Sequence, residues 1–228
     1  AIYDKLDGEN INAGRILLAM SEFYRNQKEY EKSFSLLKSA IADENLNIDI
    51  KVEMLFGILT SSGYSKDELA AQQAIFDVFI QAHPVEPKAL TLYSDFLVKK
   101  GDYVQARENL REVLKTERDK YIIWEQLLYV NNHLQDFDAL FHDSDTIISL
   151  FPVQAVPYLF NSMAAYQLNK NDHAIQSAVT GLLYAPDEQP AMKVELLTFM
   201  GEAYHRKKDY VKSDSIFTEI LKIDPDNV

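Results

Sequence analysis

The strongest constraint on the fold is a helical pattern over residues 194–225 with a tight polar turn in its middle, at 207–209. Apolar or small residues recur three or four positions apart on both sides of that turn, at Leu197, Met200, Gly201 and Tyr204 before it and at Tyr210, Ser213, Phe217 and Ile220 after it. This spacing is typical of two amphipathic helices, and Asp224 followed by Pro225 ends the second one. Because each apolar stripe is short, the sequence predicts a pair of helices that packs against neighbouring pairs.

Similar pairs recur along the chain with a period of 34 residues. Phe137 follows Tyr103 by 34 residues, and Pro186 follows Pro152 by 34. The next interval, to Pro225, is longer, and we expect the extra residues to extend the first helix of the last pair, with Pro190 in its opening turn. A fixed period of this length indicates an array of stacked helical units.

These stretches resemble the tetratricopeptide repeat, whose pattern combines apolar or aromatic residues, Leu-Gly, a second aromatic, Ala, Phe and a closing Pro. The resemblance is clear at 194–225, where Ser213 replaces the usual Ala, and Trp124 occupies the slot of the family's signature Trp. We expect about six degenerate repeats, at 14–47, 50–86, 87–120, 121–154, 155–187 and 188–228, after the end of a preceding helix and a linker at 1–13. The two ends suggest an excised piece of a longer array.

The resemblance implies an all-α fold, an α-solenoid in which antiparallel helix pairs stack into a right-handed superhelix with first helices lining its concave wall. Trp124 should then be buried, and Leu159, Met163 and Tyr166 should lie on the core stripe of the fifth repeat. Gly57, Gly181 and Gly201 are interpreted as positions where neighbouring helices approach closely.

Charge and composition exclude several function classes. The 228 residues carry a net charge of −12, which disfavours binding to nucleic acid or to an anionic membrane surface. The sequence has no run of 18 apolar residues, so we expect no membrane insertion by this segment. It also has no cysteine, which removes thiolate chemistry but leaves the compartment open, with cytoplasm and cell envelope both compatible.

The sequence predicts no catalytic, cofactor or metal site. Phosphate-binding loops, nucleophile elbows and the HExxH motif are all missing. His142 and Asp145 would share one helix face, but two ligands do not make a metal site, and the neighbouring Asp143 would point elsewhere. We therefore expect a non-catalytic protein without cofactors.

Residues of the first helices that lie off the core stripe are the candidates for partner binding. Tyr129, Phe160 and Phe199 are aromatic residues with no slot in the pattern, and aromatics supply much of the buried area of protein interfaces. The predicted groove consists of Glu125, Tyr129, Asn132, His133, Phe160, Asn161, Phe199, Glu202 and Arg206. In the first repeat, Arg15, Glu22 and Arg25 should face the same way. The alternative is that these aromatics pack against the adjacent repeat.

Two functions fit this sequence. The first is a scaffold for protein–protein interaction that binds a peptide segment or a partner helix in its concave groove, and the mixed charges of the groove favour a neutral or mildly basic ligand. The second is a helical-repeat regulatory arm of a larger enzyme, sensor or transcription regulator. The Lys and Asn constellation with which one variant of the family binds carboxylate tails is not found. The sequence predicts neither the partner's identity nor the oligomeric state.

Overall fold

The computed structural model describes residues 13–60 and 66–226, with no account of the side chains of 66–69. The predicted helix end at 1–12, much of the loop before the fourth helix and the last two residues therefore lie outside the described part. Within it the chain forms twelve helices and no strand, which confirms the all-α prediction. The helices are α1 (Ala13–Asn26), α2 (Tyr30–Ala42), α3 (Ile48–Thr60), α4 (Lys66–Ala82), α5 (Pro87–Lys100), α6 (Tyr103–Val113), α7 (Tyr121–His133), α8 (Phe137–Leu150), α9 (Ala155–Gln167), α10 (Asn171–Tyr184), α11 (Pro190–Arg206) and α12 (Tyr210–Ile223).

Tight turns separate the paired helices, and each of the described ones contains a residue with left-handed backbone geometry. Gly101 has a φ of 86°, and four residues other than glycine also have positive φ values, namely Lys28, Gln135, Asn169 and Lys208. Gln135 and Asn169 follow Gly101 at successive intervals of 34 residues, so the turns repeat the sequence period. A left-handed residue reverses the chain at the end of a helix and satisfies its last carbonyl groups.

Aspartate begins the second helix after several of these turns. Asp102, Asp136 and Asp209 are N-caps, and each carboxylate accepts a hydrogen bond from the backbone N–H three residues later. The first N–H groups of a helix have no partner inside it, so this cap stabilises the helix start. The predicted turn at 207–209 is therefore confirmed, and α11 begins with Pro190 in its first turn as expected.

The described helices belong to two compact units. The first, residues 1–101, contains α1–α5, and the second, residues 102–228, contains α6–α12. In the first unit the rings of Phe76 and Phe96 stack with their centroids 4.3 Å apart, and both side chains are fully buried. Lys51 is buried as well, and its Nζ lies 2.9 Å from Nε2 of His83.

In the second unit each helix packs chiefly against helices one or two positions away in the chain. That pattern is the physical definition of a solenoid, in which stability is a sum over neighbouring elements. Trp124 is 7% exposed, as predicted, and its Nε1 donates a hydrogen bond to the carbonyl oxygen of Arg118 over 2.9 Å. The pairs from α5 onward lie inside the ranges inferred from the sequence, whereas α1 begins one residue and α3 two residues before its range. The repeat boundaries themselves stay a prediction.

Two of the three glycines predicted to mark close helix packing do so. A Cβ on Gly181 would lie 2.8 Å from a methyl of Leu196, and one on Gly201 would lie 3.1 Å from the ring of Phe217. Gly57 was wrongly assigned, because a Cβ there would meet no atom within 4 Å. The reason is an open pocket beside α3, which is described below.

None of the described helices is long and apolar enough to cross a bilayer.

Candidate functional site: the first-helix face of the second unit

The predicted groove residues of the second unit lie on three neighbouring helices. Glu125, Tyr129, Asn132 and His133 belong to α7, Phe160 and Asn161 belong to α9, and Phe199, Glu202 and Arg206 belong to α11. α9 packs against both α7 and α11, so the three form a continuous surface. We call the solvent-exposed side chains on α7, α9 and α11 the first-helix face.

Tyr129 is the most exposed aromatic residue of this face. Its side chain is 49% exposed, and its ring meets Phe160 edge to face with the centroids 5.1 Å apart. Phe160 itself is only 4% exposed, so it supports Tyr129 from below rather than reaching a ligand. Partial burial, with the charges of Glu125 and Glu195, raises the pKa of Tyr129. The phenol therefore stays neutral and can donate a hydrogen bond.

A second cluster links the end of α9 to α11. The guanidinium of Arg206 lies 3.5 Å from the centroid of the Tyr166 ring, and it donates hydrogen bonds to the carbonyl oxygen of Tyr166 and to Oδ1 of Asn169. The Tyr166 hydroxyl donates to Oε2 of Glu202 over 3.1 Å. Burial, followed by the hydrogen bond and charge of Glu202, raises the pKa of Tyr166. The cluster fixes an arginine, a carboxylate and an aromatic edge side by side.

Phe199 lies beside this cluster. It is half-buried, and its ring is tilted against that of Tyr166 with the centroids 6.1 Å apart. Its other contacts are with the hydrophobic core formed by α9–α12. Phe199 therefore belongs partly to the core and partly to the surface, which combines the two readings left open by the sequence.

The remaining α7 residues are held in place by local contacts. Nδ1 of His133 donates to the Tyr129 carbonyl oxygen over 2.8 Å, and the imidazole stacks on the ring of Tyr103 with the centroids 4.6 Å apart. Glu125 accepts a hydrogen bond of 3.4 Å from the Tyr121 hydroxyl, and Asn132 is half-buried. These contacts restrict the side chains before any ligand binds, which lowers the entropy lost on binding.

Asn161 does not reach the surface on which the sequence analysis placed it. Its side chain is completely buried, and Nδ2 donates to the Ser144 hydroxyl over 3.0 Å, with longer contacts to α8. Its Oδ1 accepts a hydrogen bond of 2.6 Å from the hydroxyl of Ser177. The amide thus joins α8, α9 and α10 in the interior, because it lies one position beyond Phe160 and so points about 100° away around the helix.

The sequence analysis missed Tyr166, Glu195 and the exposed Ile122 as residues of the face. Tyr166 was assigned to the core stripe, although it follows Asn132 by 34 residues and the repeat period would have placed it beside the other groove positions. Glu195 has no such distinguishing pattern. It is exposed on α11, and its charge contributes to the raised pKa of Tyr129.

The pair considered for metal binding lies on the exposed side of α8. His142 and Asp145 are both exposed, and Asp145 lies 3.8 Å from Nε2 of His173. Asp143 instead accepts hydrogen bonds from Nδ2 of Asn131 and from Arg111, so it points away from the pair as predicted. Among the residues that the structure describes, no three His, Cys, Asp or Glu side chains are grouped as a metal site requires.

Comparison with known proteins identifies the repeat and the fold. A family model described as a tetratricopeptide repeat matches residues 194–227. A search of curated protein sequences found no match. Each structural match below is under 25% identical in sequence, so it shows the fold alone.

Three solved structures illustrate the similarity. YrrB, whose structure is described as a tetratricopeptide-repeat protein with an unusual peptide-binding site, is 15% identical and aligns with a TM-score of 0.63 over 78% of this chain and 85% of its own. MamA from Desulfovibrio magneticus RS-1, in a structure described as running from residue 41 to the end, is 16% identical, with a TM-score of 0.62 over 77% of this chain and 96% of its own. PilF from Pseudomonas aeruginosa is 13% identical, with a TM-score of 0.61 over 94% and 93%.

Proposed function

We propose that this protein is a non-catalytic scaffold for protein–protein interaction. The premise is that residues 194–227 are a tetratricopeptide repeat and that the chain has the tetratricopeptide-repeat fold. Its first-helix face would bind a peptide segment or a helix of a partner protein. The similarity to YrrB, a protein described as binding a peptide, supports this class of function.

The observation that carries the proposal is the exposed ring of Tyr129 on its buried support, Phe160. A rigid aromatic anchor that is already packed on one side loses little conformational freedom when a partner covers its other side. Ile122, one side chain of the same helix, is 57% exposed and extends the apolar area. Together they give α7 an apolar surface that a ligand side chain can cover.

The charged groups around this surface define the ligand. Glu125 and Glu195 influence Tyr129, and Glu202 accepts a hydrogen bond from Tyr166. Arg206 is already engaged with Tyr166 and Asn169. The surface near Tyr129 is therefore acidic, which favours a neutral or mildly basic segment with a bulky apolar side chain.

The test is a selection of peptides from a randomised display library on the intact chain, followed by affinity measurements with the selected peptides. Tyr129→Ala should weaken their binding about tenfold or more, because an exposed aromatic anchor at an interface typically contributes more than 1 kcal/mol. The helical circular dichroism and the melting temperature should change little, since Tyr129 is half exposed.

Tyr184→Ala is the matched control. Tyr184 is 40% exposed and stacks on the ring of Tyr158, but it lies on α10, which does not contribute to the first-helix face. Its replacement should leave peptide affinity unchanged. Equal losses of affinity in the two variants, or no loss in either, would contradict the proposal. Phe160 is unsuitable for this test because its removal would disturb packing.

A further inference from the structure

The first unit contains a large pocket that the first-helix face does not include. It lies among α1, α2, α3 and α4 and has a volume of about 810 Å³. Protein interiors are close-packed and contain few voids larger than a water molecule, whereas pockets for ligands measure roughly 300–1,000 Å³. A space of this size, open to solvent, is large enough to hold a ligand group.

The walls of the pocket are largely apolar. Phe34 and Leu37 contribute from α2, and Ile50, Met54 and Ile58 contribute from α3. All of these except Leu37 keep part of their side chain exposed, so apolar surface inside the pocket is in contact with solvent. Covering that surface with an apolar group would be favourable.

Gly57 leaves open space on the side of the pocket that α3 contributes. It lines the pocket, and a Cβ placed on it would meet no atom within 4 Å. A helical glycine is less favourable than alanine by about 1 kcal/mol, and neither packing nor an unusual backbone angle requires a glycine here. The missing side chain leaves room for a ligand beside α3.

Gln72 supplies an unsatisfied polar group. It lines the pocket from α4, its side chain is only 4% exposed, and its Oε1 has no hydrogen-bond partner. A buried amide oxygen without a partner is costly, and such groups in native proteins call for an explanation. Because this oxygen is shielded from solvent, a ligand N–H group would satisfy it once the amide turns toward the pocket.

The charges at the pocket are mostly negative. Glu22 and Glu53 are exposed side chains in its lining, together with Arg25. No ion pair joins any of the three to another residue in the described part of the chain. Two carboxylates and one guanidinium leave a net negative charge, so a basic group on the ligand would be attracted.

From these features we infer that the pocket among α1–α4 is a second binding site, which takes a short segment of a partner protein carrying a bulky apolar side chain next to a lysine or arginine. The apolar side chain enters beside Gly57, a backbone N–H of the segment donates to Oε1 of Gln72, and the basic side chain pairs with Glu22 or Glu53. The inference shares the scaffold role proposed above but depends on a different unit and on different residues.

The experiment uses the intact chain carrying Tyr129→Ala, so that its outcome does not depend on the first-helix face. A randomised 12-residue display library is the probe, and binding of the selected peptides is measured by fluorescence anisotropy. The selected peptides should share an apolar residue beside Lys or Arg. Gly57→Leu should weaken their binding at least tenfold by filling the pocket, while Gly57→Ala, which adds only a Cβ in open space, should weaken it less than threefold.

Two further variants separate binding from structure. Gln72→Leu removes an oxygen that is unsatisfied in the free protein, so it should keep or raise the melting temperature while weakening peptide binding. Glu53→Lys should shift the selection from basic towards acidic peptides. Peptides whose affinity is the same in Gly57→Leu and Gly57→Ala would overturn the inference. The inference would also be overturned if small apolar compounds bound the pocket while no peptide was enriched from the library. This holds regardless of how Tyr129→Ala changes binding to the first-helix face.

Discussion

The buried amide of Asn161 should contribute strongly to the stability of the second unit. In an Asn161→Leu variant the hydroxyl of Ser177 loses the oxygen to which it donates over 2.6 Å, and the Ser144 hydroxyl loses an N–H donor at 3.0 Å. Ser144 still donates to the carbonyl oxygen of Phe141, so its own proton remains satisfied. The main cost is therefore one buried donor without a partner and one lost hydrogen bond.

The magnitude follows from these two losses. A buried donor left unsatisfied costs about 1–3 kcal/mol, and a lost hydrogen bond costs about 1 kcal/mol, so the variant should be destabilised by about 2–4 kcal/mol. Adding Ser177→Ala removes the orphaned hydroxyl, and the double variant should regain about 1–2 kcal/mol relative to Asn161→Leu alone. With Ser177→Ala alone as the fourth protein, a double-mutant cycle gives the coupling energy between the two side chains.

The assay is urea denaturation monitored by fluorescence. Trp124 is the sole tryptophan of the sequence and lies in the second unit, so its emission follows the unit that contains Asn161. The transition midpoint should fall in Asn161→Leu at a constant slope and rise again in the double variant. A neutral Asn161→Leu, or a double variant less stable than the single one, would refute the assignment of this amide to the interior.

Four other substitutions have outcomes that the structure determines. Trp124→Ala should destabilise the protein by about 3–5 kcal/mol in circular dichroism melts, because the side chain is buried, and an unchanged melt would place Trp124 at the surface. Gly101→Ala should lower the free energy of unfolding by about 1 kcal/mol because the φ of Gly101 is 86°. Gly57→Ala should raise it by about 0.5–1 kcal/mol because Gly57 occupies an open helical position. Urea midpoints that shift in the same direction in both variants would contradict this contrast. Burial, and then the charge of Lys51, lowers the pKa of His83, so the folded chain binds this proton less readily than the unfolded chain. The stability present above about pH 6.5 should therefore be lost as the pH falls through that value. His83→Gln should reduce this loss in thermal melts recorded between about pH 8 and pH 5.5.

The helices and their core positions could be predicted from the sequence because burial follows the helical period. Trp124, Gly181 and Gly201 were assigned correctly, since each occupies a position that the repeat pattern defines. The 34-residue interval also indicated where successive turns lie. These features depend on local sequence spacing, which a single chain displays directly.

The errors concern residues whose environment is determined by other helix pairs. Phe160 and Asn161 were both placed at the groove, yet the hydroxyl groups of Ser144 and Ser177 on two other helices draw Asn161 into the interior. The open space beside Gly57 depends on the separation of two helix pairs, which sequence spacing does not encode. The left-handed turns at residues other than glycine had no compositional signal either.

The packing of each helix against near neighbours also determines how the chain would respond to mechanical load. α12 packs against α11, which in turn packs mainly against α9 and α10. A single-molecule pull at the end of α12 would therefore load this last pair before the others. The pair spans residues 190–223, and an extended chain measures about 3.3–3.6 Å per residue. Its unfolding would therefore increase the distance between the pulling points by roughly 110–120 Å minus the length of the folded pair. A series of such steps, rather than one abrupt rupture, is the expected signature of a chain built this way.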